Sequence, residues 1–246
     1  MNSRPGTYWI GTSGYQYDHW KTVFYPPDLP KSRWFEHYQS HFSTVEINNT
    51  FYNLPKPETF ADWRDRTPEG FCYALKMSRY ATHIKRLKDG ESTLATFFEH
   101  AEPLGDRIGP LLVQLPPKWK ANPERLDAFL AAAPDDYRWV VEFRDPDWFR
   151  DEVYAVLRKH QAALCLHDMI EDHPAEITAP WVYLRFHGDH YAGSYSQEAL
   201  RGWAGKIARW LGQGLDVYAY FNNDAEGHAI ANAMDLRHKI EDALAQ

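Results

Sequence analysis

The chain has 246 residues, 44% of them hydrophobic and 25% charged, with 27 basic against 34 acidic side chains and a formal net charge of −7. That balance excludes a disordered chain and argues against non-specific coating of nucleic acid. No apolar run nears the ~18–20 residues needed to cross a bilayer, the opening MNSRPGTYWIG shows no signal-peptide pattern, and two cysteines, Cys72 and Cys165, are too few for a disulfide scaffold, so a cytoplasmic protein with reduced thiols is expected.

In chain order, eight apolar, β-branched or aromatic runs read as strands: 7–13 (TYWIGTS), 44–49 (TVEINN), 71–77 (FCYALKM), 109–115 (GPLLVQL), 138–144 (RWVVEFR), 162–168 (AALCLHD), 181–187 (WVYLRFH) and 216–222 (DVYAYFN). Their spacing is about 30 residues, the size of one βα unit. Helical stripes fill the gaps. Trp34, Phe35, Tyr38 and Phe42 make the first, and Phe60 with Trp63 follows Pro57. Leu94, Phe97, Phe98 and Ala101 make another. Asn122-Pro123 reads as an N-cap and first helical residue ahead of Leu126, Phe129 and Leu130. Val153, Val156 and Leu157 follow the fifth run, Leu200 to Leu211 forms the clearest amphipathic helix, and Ile230 to Ile240 closes the chain. Between Asp168 and Trp181, Pro174, Pro180 and the lack of an apolar stripe predict no full helix. Strands alternating with helices imply a parallel sheet with crossovers. Eight units without an interior linker predict one domain over 1–246, a (β/α)8 TIM-type barrel whose sixth helix is short or missing. GTSGY after the first run is not a dinucleotide-binding GxGxxG turn.

A buried parallel strand should read as an almost unbroken apolar run. Charged or amide residues late in these strands therefore mark the mouth at the C-terminal ends, where such barrels keep reactive groups. Ser13 and Gly14 end the first run. Glu46 and Asn48 share a face of the second, and Lys76 lies late in the third. Gln114 precedes Pro116-Pro117, and Glu142 and Arg144 share a face of the fifth run. His167-Asp168 ends the sixth, Arg185 and His187 share a face of the seventh, and Asn222-Asn223-Asp224 ends the eighth. The bland alternative is a ring of interior salt bridges, but apolar layers fill a barrel as well or better.

The chemistry this suggests is acid–base work on an anion. Glu46 and Glu142 are a candidate proton-transfer pair. Arg144 and Arg185 are suited to clamp a phosphate or carboxylate, and Lys76 serves as an anion ligand, a proton-transfer group, a Schiff-base nucleophile if desolvated, or simply a partner for a glutamate. Asn48, Gln114, His187, Asn222 and Asn223 would orient the ligand. No cofactor is required by any motif; a divalent metal held by strand-end carboxylates and histidines, including His187-Gly188-Asp189-His190, is the weaker alternative. Two loops flank the mouth. Residues 15–30, with Tyr15, Tyr17, Trp20, Phe24 and Tyr25, read either as an aromatic lid or as a packed cover. Residues 78–90, with Arg79, His83, Lys85, Arg86 and Lys88, read as a solvated face or as a nucleic-acid contact.

The strings IGTSGYQYDHWKTVFYP, VEINNTFYNLP, LLVQLPP, VVEFRDPDWF, VYLRFHG and VYAYFNND, in this order, resemble the YecE-like family, domain of unknown function seventy-two, over roughly residues 8–240. The resemblance implies a β/α barrel in a bacterial-type cytoplasmic protein and implies no reaction. Its motif residues fall on Ser13, Gly14, Trp20, Glu46, Asn48, Phe51, Gln114, Glu142, Arg144, Arg185, His187, Asn222 and Asn223. The expected function is therefore an enzyme acting on an anionic small molecule. Two alternatives stand beside it: a metal-assisted phosphodiesterase or nucleic-acid-binding barrel, and a non-catalytic ligand-binding barrel. No membrane partner is expected.

Overall fold

A computed structural model describes residues 4–188 and 193–245. Each of the eight runs forms a strand: β1 (Tyr8–Thr12), β2 (Thr44–Ile47), β3 (Cys72–Lys76), β4 (Ile108–Gln114), β5 (Trp139–Glu142), β6 (Ala163–His167), β7 (Trp181–Phe186) and β8 (Asp216–Phe221). The strands form one sheet in the order β1-β8-β7-β6-β5-β4-β3-β2. Ser13, just past β1, bridges in parallel to Glu46 in β2, joining the strands at the two ends of that order. Parallel strands joined by helices in this cyclic order are the (β/α)8 barrel topology.

The helices are α1 (Trp34–Gln39), α2 (Asn49–Tyr52), α3 (Pro57–Asp65), α4 (Gly90–Ala101), α5 (Pro123–Ala132), α6 (Asp151–Lys159), α7 (Gln197–Gly212) and α8 (His228–Leu244). Asn122 caps α5 as its side chain accepts from Arg125 N at 2.9 Å, with Pro123 in the first turn. No helix lies between β6 and β7. Buried Thr178 packs there instead. Its hydroxyl accepts from Leu164 N (2.9 Å) and donates to Ala162 O (2.7 Å), so a side chain supplies what a strand or helix would otherwise give. The second run ends earlier than its composition suggests: Asn48 takes αR angles and the single turn α2 follows.

By its contacts the chain gathers into two compact units. The first holds residues 1–46, 167–171 and 180–246; the second holds 47–166 and 172–179.

In the first unit, β1, β8 and β7 pair in register, and α8 packs on β1. Trp9 stacks on Tyr218 at 4.5 Å. The aromatic loop is a packed plug within this unit: Trp20 and Tyr25 are fully buried, and Tyr25 stacks on Trp34 at 4.5 Å and 6°. Lys21, Thr22 and Val23 are its exposed tip.

In the second unit, β3, β4, β5 and β6 pair in parallel. Trp148 stacks on Phe143 at 4.8 Å and donates its indole N–H to Trp119 O at 2.6 Å, which satisfies the ring's one polar atom inside the core. The basic segment contains one π-helical turn, Tyr80–Ile84, and Leu87 anchors it in the core. Among the described residues, no helix is long and apolar enough to cross a membrane.

Candidate functional site

Strand register decides which side chains share a face. In the first unit, Gly11 and Arg185 are both register partners of Tyr220, and Tyr183 is the partner of Tyr218. Neighbours on one rung of a parallel ladder point the same way, and side chains two apart share a face. Tyr183, Arg185, Tyr220 and Ser13 therefore converge, and the bridge brings Glu46 to Ser13. The Glu46 carboxylate is fully buried and accepts from Ser13 Oγ (2.7 Å), Tyr183 Oη (2.7 Å) and Arg185 Nη2 (2.9 Å). The Arg185 side chain is 1% exposed. Burial and the facing Glu46 push the Tyr183 phenol well above its ordinary value, so it stays protonated and donates. Gly14 follows at φ +89°; its N–H donates to Glu46 O, and a Cβ there would lie 2.7 Å from the Tyr17 hydroxyl.

Nearby in the same unit, Asp168 accepts from His187 N (3.0 Å), from His187 Nδ1 (3.2 Å) and from the Tyr195 hydroxyl. Burial alone would raise the Asp168 carboxyl, but the hydrogen bonds from His187 and Tyr195 outweigh it and hold it below the usual carboxylate range. His167 lies edge-on to His187, ring centres 6.2 Å apart. Asn223 donates to Gly193 O (3.0 Å) and Asn232 Oδ1 (2.9 Å), and Asn232 also accepts from Tyr195 N. Asn222, half-buried, donates its backbone N–H to Phe186 O. Trp20 donates its indole N–H to Asp224 O at 3.3 Å. Of the His187-Gly188-Asp189-His190 run, Asp189 and His190 lie outside the described residues.

In the second unit, Lys76 pairs in register with Leu112 and Gln114 with Glu142. Val141 pairs with Leu164, which puts Cys165 beside Glu142. By the same parity Lys76, Gln114, Glu142 and Cys165 face one way. Glu142 is fully buried; Arg144 Nε donates to it, and the Cys165 thiol, equally buried, lies 3.8 Å from its other oxygen. Lys76 is buried, its ammonium 4.4 Å from the centre of the Phe51 ring, a cation–π contact. His83 meets the same ring edge-on at 5.0 Å. Burial, then the charges of Lys76, Arg79, Arg144 and Arg86, push the His83 imidazole down to about 4.

The Thr82 hydroxyl lies 3.0 Å from Ser78 O and 2.9 Å from His83 Nδ1. Asn48, half-buried, opens α2 with its carbonyl accepting from Phe51 N. In the basic segment, Lys85 pairs with Asp89 (2.8 Å) and Arg86 lies over the Trp119 ring, while Arg79 and Lys88 are exposed.

The predicted residues thus fall into two sets. Ser13, Gly14, Glu46 and Arg185 come together in the first unit; Lys76, Gln114, Glu142 and Arg144 come together in the second. Within its own unit each arginine lies on a carboxylate, Arg185 on Glu46 and Arg144 on Glu142. Sequence reasoning passed over Tyr183, which was findable, since it lies two residues before Arg185 on the same strand face. It named His83 only within the basic segment, because no pattern in a loop reveals the field around it, and Cys165 only as a reduced thiol. Among the described residues no cluster of three or more His, Cys, Asp or Glu has the geometry of a metal site.

A family model described as "Protein of unknown function DUF72" matches residues 9–246. The UPF0759 protein YecE of Escherichia coli (strain K12) is 35% identical over 117 residues, covering 46% of this chain and 42% of that protein, so the match spans less than half the length of that curated relative. The UPF0759 protein YunF of Bacillus subtilis (strain 168) is 24% identical over 265 residues, 93% of each chain. A crystal structure of a DUF72 family protein from Thermotoga maritima superposes with a TM-score of 0.86 at 28% identity, covering 96% of this chain and 99% of that one. With the family model spanning nearly its whole length, the chain belongs to the family of unknown function DUF72.

Proposed function

We propose that the protein is an enzyme that binds a phosphorylated or carboxylated small molecule on the cationic cluster of its second unit, with Glu142 as proton-transfer group. The observation that supports this reading is that Lys76 and His83 share the Phe51 ring, at 4.4 and 5.0 Å, where burial and then the charges of Lys76, Arg79, Arg144 and Arg86 lower the imidazole's pKa. Positive charges that act together on one imidazole make a field that favours an anion. An anion enters that field. It competes with Glu142 for the Arg144 guanidinium, and a carboxylate so released is placed to take or give a proton. Lys76 holds the anion as a point charge, and Gln114, the rung neighbour of Glu142, supplies a neutral amide for orientation. Glu46 in the first unit then acts as a structural centre, its charge met by Arg185, Ser13 and Tyr183.

The test is the His83 imidazole, followed by NMR during a pH titration with and without inorganic phosphate. An anion among the cations raises the His83 pKa from about 4, and Lys76→Met weakens the effect. A His83 titration unmoved by saturating phosphate and by malonate overturns the reading. Strong binding of phosphate only in the presence of a divalent cation favours metal-assisted chemistry instead.

A further inference from the structure

Two grooves flank helix α4 in the second unit, and they differ in charge. Side chains three and four apart share a helix face, so α4 contributes a different set to each. Glu91, Ala95, Phe98, Glu99 and Glu102 line one groove, of about 660 Å³, which continues over Pro134 and Tyr137 past the end of α5. Ser92, Thr96 and Phe97 line the other, of about 410 Å³, together with Arg79, Tyr80 and Ile84. The first groove is acidic. Its three glutamates are exposed and have no ion pair among the described residues. Glu99 and Glu102 stand at the C-terminal end of α4, and exposed Asp135 and Asp136 follow that of α5. Helix C-termini carry partial negative charge, so these carboxylates strengthen a field that a purely stabilising arrangement would oppose. The last turn of α5 holds no basic residue, and His100 of α4 is bonded to Pro55 O at 2.7 Å. The floor is apolar, with Phe98 stacked on Tyr137 at 4.7 Å. Burial, then Glu102 and Asp136, push the Tyr137 phenol above its ordinary value, in keeping with that field.

The second groove is edged by a ridge of opposite character. Arg79 is the one charged residue among the described residues of its lining, and it is exposed. Beside it Tyr80 is 52% exposed and Ile84 61%, four residues apart on the π-helical turn. Large apolar side chains gathered in water mark a contact surface. The ridge is pinned from below: buried Leu87 donates its N–H to Ala81 O at 2.9 Å, and Lys85 N donates to Tyr80 O at 2.8 Å. A pinned protrusion has little freedom left to lose on docking. Ridge and acidic groove are thus complementary in charge, and each carries apolar surface to bury. We propose that the occupant of the acidic groove is a second copy of this chain, whose Tyr80 and Ile84 enter over Phe98 and Tyr137 while its Arg79 meets Glu99 and Glu102. Because ridge and groove lie on either side of α4, one two-fold contact makes both exchanges at once, and association stops at a dimer. Each copy has a formal net charge of −7, so other acidic faces repel and the contact is confined to this face. The dimer is independent of the anion reading above.

The experiment is sedimentation velocity of the full chain from micromolar to hundreds of micromolar, where a monomer–dimer equilibrium is expected. Arg79→Glu, or the pair Glu99→Lys/Glu102→Lys, should weaken it at least about tenfold. These positions are exposed, and each variant is checked for unchanged melting. Mixing the two variants sets the native ridge of one against the native groove of the other, and the reversed ridge against the reversed groove, so a heterodimer should return. Tyr80→Ala/Ile84→Ala leaves every charge in place and should weaken the dimer by a similar factor. A chain that stays monomeric over the whole range overturns the proposal. So does a dimer indifferent to these substitutions, a mixture of the charge variants that stays monomeric, or a mass that grows past the dimer with concentration. A monomer that instead binds a synthetic leucine–lysine helical peptide through Glu99 and Glu102 has a foreign basic segment as its occupant, which likewise overturns the self-contact.

Discussion

Replacing Arg185 by Met should destabilise the protein through the charge it leaves behind, since the length of the side chain is largely kept. Glu46 is fully buried and the Arg185 side chain is 1% exposed, with 2.9 Å between Nη2 and Oε1. Solvent screening is therefore minimal, and removing one member of such a pair costs about 3–5 kcal/mol. At ~2–4 °C per kcal/mol for a chain of this size, the melting temperature should fall by ~6–20 °C. The double variant Glu46→Gln/Arg185→Met, which leaves no buried charge at this point, should recover much of that loss, because neutral replacement of both partners is often near-neutral. Urea unfolding of the four proteins at pH 7 closes the cycle, with an expected coupling of about 2 kcal/mol or more. Losses that add to within ~0.5 kcal/mol would refute the reasoning and show that the pair is not a coupled unit.

Thr178→Val keeps the shape of the side chain but strips Leu164 N–H and Ala162 C=O of their partner, and should cost about 1–3 kcal/mol in urea unfolding; Thr178→Ser should cost less. Gly14→Ala places a Cβ in left-handed backbone and against Tyr17, so a loss above ~1 kcal/mol is expected, with Tyr17→Phe restoring only the steric share. His83 has a depressed folded pKa, so its contribution to stability is complete above the unfolded value of 6.5 and is lost as pH falls towards 4. His83→Gln should therefore flatten the fall in melting temperature over that window, and an unchanged slope would contradict the placement of the cations.

The barrel was legible because burial on both faces writes each parallel strand as a continuous apolar run. Those runs stay recognisable even where Pro174 and Pro180 cancel a helix. The strand-face rule grouped Glu46 with Asn48, Glu142 with Arg144 and Arg185 with His187, since side chains two apart share a face. What parity cannot supply is which strand lies next to which, so Ser13 and Arg185 on Glu46, and Gln114 beside Glu142, emerge only from the strand pairing. The aromatic loop carried an ambiguity of another kind. A lid and a packed plug have the same composition, and only the contacts of Trp20 and Tyr25 separate them. Phe51, whose ring meets both Lys76 and His83, was visible only through its motif.

The low His83 pKa decides when this ring changes charge. An ordinary imidazole is half-protonated near pH 6.5. Here burial first, and then the charges of Lys76, Arg79, Arg144 and Arg86, hold it neutral down to about 4. An anion bound nearby would cancel part of that field and move the step upward. Across the whole neutral range the ring thus adds no positive charge to the basic segment that carries it.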